Sequence, residues 1–367
     1  MKLPSMSYSV VRKFPSSVGA NLNPEAEIGY VFKIAQLESG LAMATQDRSI
    51  RILDMHRWCL SAQIVPAHDS TITDIQQVPT SVAGAESGNV FITSSNDGTC
   101  RVWDARGTAP VVTIKVSNNS FDAPVFGASV SRNGTCAVAC DTNISLFRFG
   151  EWKKYFEYSE SHFQTITFLE FSPWDNQENI LVSGAEDGLV NIYNVTDLVN
   201  EDDGQCPILT LNTENAVRSC RLSPQNHMHV LTGTESLSVW DCSTGGRIMP
   251  DNEALRSHPL LCGGEDEFSL AYLVGFDDMC SRLVVGNSKG NLVEFDACNF
   301  GVSKIFDNSN SAHSGVVRSA VYLRGTDKVV TAGEDGCIYE WSPETQDTQS
   351  ASSYSRLAKQ SVSARPY

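Results

Sequence analysis

A histidine, a residue with a side-chain hydroxyl and an aspartate occur in the same order in three separate parts of the sequence. The three sets are His68, Thr93 and Asp97; His162, Ser183 and Asp187; and His313, Thr331 and Asp335. These residue types form the triad of serine hydrolases, in which histidine accepts the proton of an attacking hydroxyl. An active site occurs once in a chain, however, whereas a structural network recurs with the repeat that contains it. The threefold repetition therefore favours a structural role for these residues.

Each set is followed by an aromatic residue with a polar group. Trp103, Tyr193 and Trp341 close the three sets. We expect each aspartate to accept a hydrogen bond from its histidine, and the histidine to meet the hydroxyl, which in turn reaches the polar group of the aromatic residue. Such a bond is worth only about 1 kcal/mol net, but breaking it leaves a buried partner unpaired. The sets are therefore predicted to lock the loops of one sheet together.

These residues belong to a longer repeat. The segments that match best are FITSSNDGTCRVWDAR (91–106), LVSGAEDGLVNIYNV (181–195) and VVTAGEDGCIYEWSP (329–343). Each predicts a strand, a tight Asp-Gly turn and a second strand with alternating side chains. Including looser copies, seven repeats end at Asp54, Asp104, Phe147, Asn194, Asp241, Asp296 and Ser342. Their spacing of roughly 45 to 55 residues is the range of four-stranded propeller blades.

In these features the sequence resembles the WD-repeat β-propellers, from about residue 25 to residue 343. The resemblance implies an all-β, seven-bladed propeller with the polar sets in the second, fourth and seventh blades. An open edge strand would invite aggregation, so the ring must close on itself. The segment MSYSVVRKF, residues 6–14, alternates as a strand does and is predicted to close the last blade.

Two longer stretches resemble the WD repeat-containing protein 89 family more specifically. They are FSPWDNQENILVSGAEDGLVNIYNVTD and AHSGVVRSAVYLRGTDKVVTAGEDGCIYEWSP, and CRVWDAR adds to them. This resemblance implies a scaffold without enzyme activity, and plant relatives suggest a link with growth and ribosome production. The predicted function is therefore a non-enzymatic protein-interaction scaffold, monomeric within a larger complex. The alternatives are a substrate receptor of a cullin-RING ubiquitin ligase and a ribosome-assembly factor.

The domain limits follow from composition. Residues 1–343 are expected to form the propeller, and residues 344–367, rich in Ser and Gln, a disordered tail. The tail carries Arg356, Lys359 and Arg365, so it is either a partner-binding or phosphorylated segment or a plain solvated end.

Charge and composition restrict the partners. The 367-residue chain has a formal net charge of −16, which argues against direct nucleic-acid binding and favours either basic protein partners or simple solubility.

The sequence has no apolar run long enough to span a membrane and no signal-peptide pattern, so a cytoplasmic or nuclear location is expected. The eleven cysteines form no CxxC pair and are expected to be buried thiols. No cofactor is predicted, because phosphate-binding and metalloprotease motifs are absent from the sequence.

Arg106 is the first candidate for partner binding. Trp103, Asp104 and Arg106 resemble the motif by which some propellers dock on the adaptor of cullin-RING ubiquitin ligases. Arg106 would then project from the lower edge of its blade towards acidic groups of the adaptor. The alternative is an exposed arginine after a strand.

Four further residues are candidates. Arg218 and Arg318 occupy the same place early in the first strand of their repeats, near the expected channel mouth. They could bind a peptide carboxylate or phosphate, or pair with neighbouring acidic side chains.

Glu186 and Glu334 precede the Asp-Gly turns and could bind a basic peptide, although solvated turn residues are the simpler interpretation. His227 and His229 could both face a metal, but no acidic or cysteine cluster accompanies them and no metal site is predicted.

Overall fold

The computed structural model describes most of the chain, and the structural statements below concern its described residues. They are residues 6–15, 29–82, 88–116, 123–174, 177, 179–197, 206–249, 272–277, 279–297, 301–306 and 312–343. The predicted tail, residues 344–367, and its basic residues lie outside them.

Five four-stranded antiparallel sheets form in chain order. Their strands are β2 (Val31–Gln36), β3 (Gly40–Thr45), β4 (Ile50–Asp54) and β5 (Cys59–Ile64); β6 (Ile72–Gln77), β7 (Val90–Ser95), β8 (Thr99–Asp104) and β9 (Val112–Lys115); β10 (Val125–Val130), β11 (Thr135–Cys140), β12 (Asn143–Arg148) and β13 (Lys154–Tyr158); β14 (Ile166–Phe171), β15 (Ile180–Ala185), β16 (Leu189–Asn194) and β17 (Leu209–Asn212); and β18 (Val217–Leu222), β19 (His227–Thr232), β20 (Leu237–Asp241) and β21 (Gly246–Met249). A 3₁₀ helix at Val195–Asp197 follows β16.

The remaining strands form one eight-stranded sheet. They are β1 (Met6–Pro15), β22 (Tyr272–Phe276), β23 (Arg282–Gly286), β24 (Leu292–Asp296), β25 (Val302–Phe306), β26 (Val317–Tyr322), β27 (Val329–Gly333) and β28 (Cys337–Pro343). In this sheet β22–β25 and β26–β28 lie on either side of β1. The number of blades, seven by the sequence repeats, stays a prediction, because the last two sets of strands are hydrogen-bonded together.

The Asp-Gly turns join the second and third strands of their sheets. Gly98, Gly188 and Gly336 have φ angles of 77°, 79° and 65°. Glycine adopts this left-handed conformation without the steric cost that a Cβ atom brings. The turn can therefore reverse sharply and leave the preceding aspartate at one end of the sheet.

The N-terminal strand β1 completes the last set of strands. It pairs antiparallel with β28 from Tyr8 opposite Pro343 to Pro15 opposite Cys337. At its other side, its first three residues pair in parallel with β25. A segment from the start of the chain therefore supplies the strand next to the end of the ring, at the position predicted for residues 6–14.

The first strands of successive sheets lie next to one another around a ring. The strand β2 contacts both β6 and β26, so the first and last sets of strands meet. The apolar cores lie between neighbouring sheets; one of them packs Leu41 and Met43 against Val330 and Ile338. This arrangement is that of a β-propeller, and the predicted all-β class is confirmed. No helix in the described part of the chain has the length and hydropathy needed to cross a membrane.

Candidate functional site

The four side chains of the second repeat form one chain of hydrogen bonds. His68 Nδ1 lies 2.9 Å from Asp97 Oδ2, and His68 Nε2 lies 2.7 Å from Thr93 Oγ1. Trp103 Nε1 donates to the same Thr93 oxygen at 2.8 Å. A neutral histidine protonated on Nδ1 satisfies every contact, since it donates to Asp97 and accepts from the Thr93 hydroxyl. We call each such set a polar quartet.

The buried position of Thr93 decides between the structural and catalytic interpretations of this quartet. Its side chain is fully buried, and its oxygen already accepts the indole N–H of Trp103. A catalytic hydroxyl must be reached by the substrate carbonyl that it attacks. The geometry therefore gives Thr93 a structural role.

The aspartate of the quartet also holds two loops. Asp97 accepts the backbone N–H of Asp69 at 2.9 Å and that of Thr99 at 2.9 Å. Burial acts to raise the pKa of Asp97, but the hydrogen bonds from His68, Thr99 and the Asp69 amide outweigh it and hold the pKa well below its usual range. The charged carboxylate therefore ties the loop before β6 to the turn between β7 and β8.

The quartet of the last repeat has the same geometry. His313 Nε2 lies 2.7 Å from Thr331 Oγ1, and Trp341 Nε1 donates to that oxygen at 2.8 Å. His313 Nδ1 lies 3.0 Å from Asp335 Oδ2. Although burial alone would raise it, the pKa of Asp335 is lowered by the hydrogen bond and charge of His313.

In the fourth repeat, only three of the four side chains are hydrogen-bonded to one another. His162 lies 2.7 Å from Ser183 Oγ and 3.1 Å from Asp187 Oδ2. Among the described residues, however, the buried hydroxyl of Tyr193 has no hydrogen-bond partner. Burial raises the pKa of Tyr193, and the nearby polar groups of Asn191 and Ser183 only partly offset that rise. Tyr193 stands where the other two quartets have Trp, and its hydroxyl lies near Ser183 without making a hydrogen bond of ordinary geometry to it.

Arg106 lies beyond the third strand of the second sheet, at the end opposite the quartet. Its guanidinium is paired side-on with Asp104, with Nε 2.8 Å from Oδ1, and its side chain is 67% exposed. The hydrogen bond and charge of Asp104 raise the pKa of Arg106, and Arg106 in turn lowers the pKa of Asp104. The arginine is therefore both oriented and accessible.

Arg218 and Arg318 each lie at a bulge near the start of a first strand, β18 or β26. Arg218 Nη1 donates to Glu235 Oε1 at 2.6 Å, and Arg318 Nε donates to Glu334 Oε1 at 2.8 Å. Two of the sequence candidates, Arg318 and Glu334, are therefore partners of each other. A ligand carboxylate or phosphate would have to compete with these glutamates.

Glu186 and Glu334 both precede an Asp-Gly turn, but Glu334 is half-buried and paired with Arg318, whereas Glu186 is exposed. The backbone N–H of Glu186 donates to the carbonyl of Thr165 at 3.0 Å. That bond joins the turn between β15 and β16 to the loop that carries His162. Glu186 therefore lies on the same loop surface as the fourth-repeat histidine.

His227 and His229 both lie on β19, where His227 is half-buried and His229 is buried. The side chain of His229 is buried, and its Nδ1 has no hydrogen-bond partner within the described residues. Burial, and to a smaller degree the charge of His227, lower the pKa of His229 to about 4. No group of three or more potential ligands that could hold a metal occurs among the residues described.

The described cysteines form no disulfide with one another. Most are buried or half-buried, but Cys59 and Cys206 are exposed, which corrects the expectation that all are buried. Burial raises the pKa of Cys136 to about 12 and that of Cys140 to about 11. These two thiols stay protonated near neutral pH, and a protonated thiol is a poor nucleophile.

The sequence interpretation missed two features of the structure. A buried carboxylate, Glu294, accepts hydrogen bonds from Tyr8 and Tyr322, which come from opposite ends of the chain. Phe163, next to the fourth-repeat histidine, is 87% exposed. No sequence pattern points to the first feature, whereas an apolar residue directly after His162 was a visible signal for the second.

Comparison with known proteins agrees with this geometry. The family model for the WD domain, G-beta repeat, matches residues 59–104, which run from β5 to the end of β8. A WD repeat-containing protein 89 homolog of Dictyostelium discoideum is 24% identical over 85% of this chain and 82% of its own length. WD repeat-containing protein GTS1 of Arabidopsis thaliana is 25% identical over 75% of this chain and 72% of its own. An uncharacterized WD repeat-containing protein of Saccharomyces cerevisiae is 23% identical over 82% of this chain and 75% of its own.

The matched unit spans the outer strand of one sheet and three strands of the next, which is how a repeat links neighbouring blades. The sheets, the polar quartets and the similar proteins support the same conclusion. The chain is a WD-repeat protein.

Proposed function

We propose that this protein is a non-enzymatic interaction scaffold that acts within a larger complex in the cytoplasm or nucleus. WD-repeat proteins generally act as protein-interaction scaffolds. The observation that supports the proposal best is the position of the polar quartets. In each one, an aspartate with a largely covered side chain ties the loop before the first strand to the turn between the second and third strands.

These loops and turns lie at one end of their sheets. We call this surface the quartet face, and its described loops are residues 67–71, 96–98, 159–165, 186–188, 312–316 and 334–336. Because the aspartates restrain the backbone of these loops, exposed side chains on them project from fixed positions before a partner arrives. Preorganised contacts cost less conformational entropy on binding.

The charge of the protein favours basic protein partners for this face. The net charge is −16, and Glu186 is exposed on the quartet face. Carboxylates attract Lys and Arg side chains and repel the phosphates of nucleic acids. The proposed partners are therefore proteins or peptides with a basic segment.

The test is purification of the tagged full-length chain from its own cells, followed by size-exclusion chromatography and mass spectrometry. We expect a stoichiometric partner that elutes with the chain. We also expect the variant Glu186→Lys to lose more of it than the variant Arg57→Ala, which changes an exposed residue at the opposite end of the first sheet. A chain that elutes as a monomer without a partner would contradict the proposal.

A second candidate function rests on Arg106. The guanidinium is exposed and oriented by Asp104, as docking on the acidic groups of a ubiquitin-ligase adaptor would require. Pull-down of the cullin-RING adaptor with the wild type and with Arg106→Ala tests this role, and recovery only with the wild type would support it. Arg57→Ala is the matched control, because Arg57 is also exposed and lies near Asp54 in the equivalent loop of the first sheet. If the wild type recovers no adaptor, the receptor function is excluded.

A further inference from the structure

Phe163 is the most exposed large apolar side chain among the described residues, at 87%. It follows His162 directly, on the quartet face. A single exposed apolar residue on a protein surface is common and needs no explanation by itself. The place of Phe163 within the repeat, however, allows a comparison with two equivalent positions.

The residues after the other two quartet histidines are Asp69 and Ser314. In all three repeats, the backbone N–H of this residue donates to the quartet aspartate, at 2.9 Å for Asp69, 2.9 Å for Phe163 and 3.2 Å for Ser314. The backbone is therefore in the same arrangement, whereas the side chain varies between acidic, aromatic and hydroxylic. The fold does not require a phenyl ring here.

The loops joined to Phe163 carry exposed acidic residues. Glu160 lies three residues before it, Glu186 precedes the Asp187 that accepts the Phe163 N–H, and Glu214 is exposed in the next loop. That next loop is attached to the same turn, because Thr213 N donates to the Gly188 carbonyl at 2.8 Å. Residues 159–165, 185–188 and 212–216 contain no Lys or Arg.

The next basic residue along the chain after these loops is already engaged. Arg218 pairs with Glu235 at 2.6 Å. An exposed aromatic ring on loops that also carry exposed glutamates matches a ligand that combines apolar and cationic side chains. An anionic membrane or a nucleic acid would be repelled by the same carboxylates.

We propose that Phe163, with Glu160, Glu186 and Glu214, is the docking site for a basic linear segment of a partner protein. One apolar side chain of that segment packs on the Phe163 ring, and flanking Lys or Arg side chains pair with the glutamates. This inference rests on the proposed scaffold function and assigns it a site and a class of partner. Aromatic anchors carry a large share of the binding energy in protein interfaces.

The experiment is a fluorescence-anisotropy titration of the full-length chain with three labelled synthetic peptides of equal length. The first alternates Lys and Leu, the second has Ser in place of Leu, and the third has Glu in place of Lys. We expect the first peptide to bind about tenfold more tightly than either of the others, because only it offers both kinds of side chain. Equal binding of the Glu peptide would overturn the charge argument.

Two variants test whether the Lys–Leu peptide binds at Phe163. Phe163→Ser introduces the residue found at the equivalent position of the last repeat, so its melting temperature should match that of the wild type. It should weaken binding of the Lys–Leu peptide about tenfold. Val111→Ser is the matched control, because Val111 is 64% exposed but lies away from the quartet face, and it should bind as the wild type does. No binding by the wild type, or equal binding by Phe163→Ser, would overturn the site.

The two proposals fail in different ways. If Phe163→Ser still purifies with the full set of partners and the peptide does not bind, the scaffold function stands and the site is wrong. If the peptide binds at Phe163 but the chain has no stoichiometric partner in cells, the site stands and the scaffold function is wrong.

Discussion

The hydroxyl of Tyr8 donates a hydrogen bond to Oε2 of Glu294 at 3.2 Å, although 286 positions separate the two residues in the sequence. Glu294 is fully buried. Its carboxylate also accepts from Tyr322 at 2.8 Å and from Ser303 at 2.9 Å. Burial and the charge of Glu294 raise the pKa of Tyr8, so its hydroxyl remains a donor at neutral pH. Tyr8 of the closing strand β1 thus donates a hydrogen bond to the buried carboxylate of Glu294 on β24.

Tyr8→Phe should therefore lower the free energy of unfolding by about 1–3 kcal/mol, because a buried carboxylate loses one of its donors. Urea unfolding followed by tryptophan fluorescence measures this loss. Tyr155→Phe is the control, since the Tyr155 hydroxyl lies in an exposed contact with Thr135. Equal stability of Tyr8→Phe and the control would show that the contact contributes nothing.

The quartets of the second and fourth repeats should respond differently to loss of their hydroxyl. Thr93→Val removes the partner of both His68 and Trp103, whereas Ser183→Ala removes only the partner of His162, because Tyr193 makes no such bond. We expect Thr93→Val to cost about 1 kcal/mol more than Ser183→Ala in urea unfolding. A larger loss for Ser183→Ala would contradict the assigned geometry.

His229 should make the protein less stable in mild acid. Its pKa is lowered to about 4 by burial and by His227, with Asp277 opposing, against about 6.5 in an unfolded chain. As pH falls below about 6.5, the unfolded chain binds a proton first, so stability is lost progressively until pH reaches the folded pKa. The loss between pH 7 and pH 5 should be about 2 kcal/mol.

His229→Leu should remove that part of the pH dependence, because leucine binds no proton and suits the apolar contact with Phe276. Urea unfolding at several pH values measures it, with the exposed His56→Ala as control. The lowered pKa of His162 acts in the same direction and leaves a smaller dependence in the variant. An unchanged dependence in His229→Leu would refute the assignment.

The ion pair between Arg318 and Glu334 should contribute little to stability. Both side chains are partly exposed, and exposed pairs are worth about 0–1 kcal/mol. Arg318→Ala should therefore unfold at nearly the same urea concentration as the wild type, with a difference that shrinks as salt is added. A loss above about 2 kcal/mol would mean that the pair is structural, and Arg318 could then not be tested for binding by simple substitution.

The repeats explain how much could be predicted from the sequence. Alternating side chains around Asp-Gly turns predict the strands, because the pattern reflects the pleat of each strand directly. The quartet residues are identifiable because each set lies within one repeat. Tyr193 shows the limit, since the residue type suggests a hydrogen bond but its hydroxyl makes none of ordinary geometry among the described residues.

Contacts between distant parts of the chain could not be predicted in this way. The contact of Tyr8 with Glu294 depends on how the ring closes, and no repeat pattern includes both residues. The ion-pair partners of Arg218 and Arg318 could not be predicted either, because the sequence contains many acidic residues that could pair with them. The exposure of Phe163 depends on the direction of one side chain from a loop, which has no periodicity.

The closed ring is the central claim, and removal of residues 1–15 tests it most directly. This deletion removes β1 and the buried side chains of Tyr8 and Phe14. We expect the melting temperature to fall by more than about 10 °C, and a synthetic peptide of residues 1–15 to restore part of the loss when added to the truncated chain. An unchanged melting temperature would contradict closure of the propeller by its N-terminal strand.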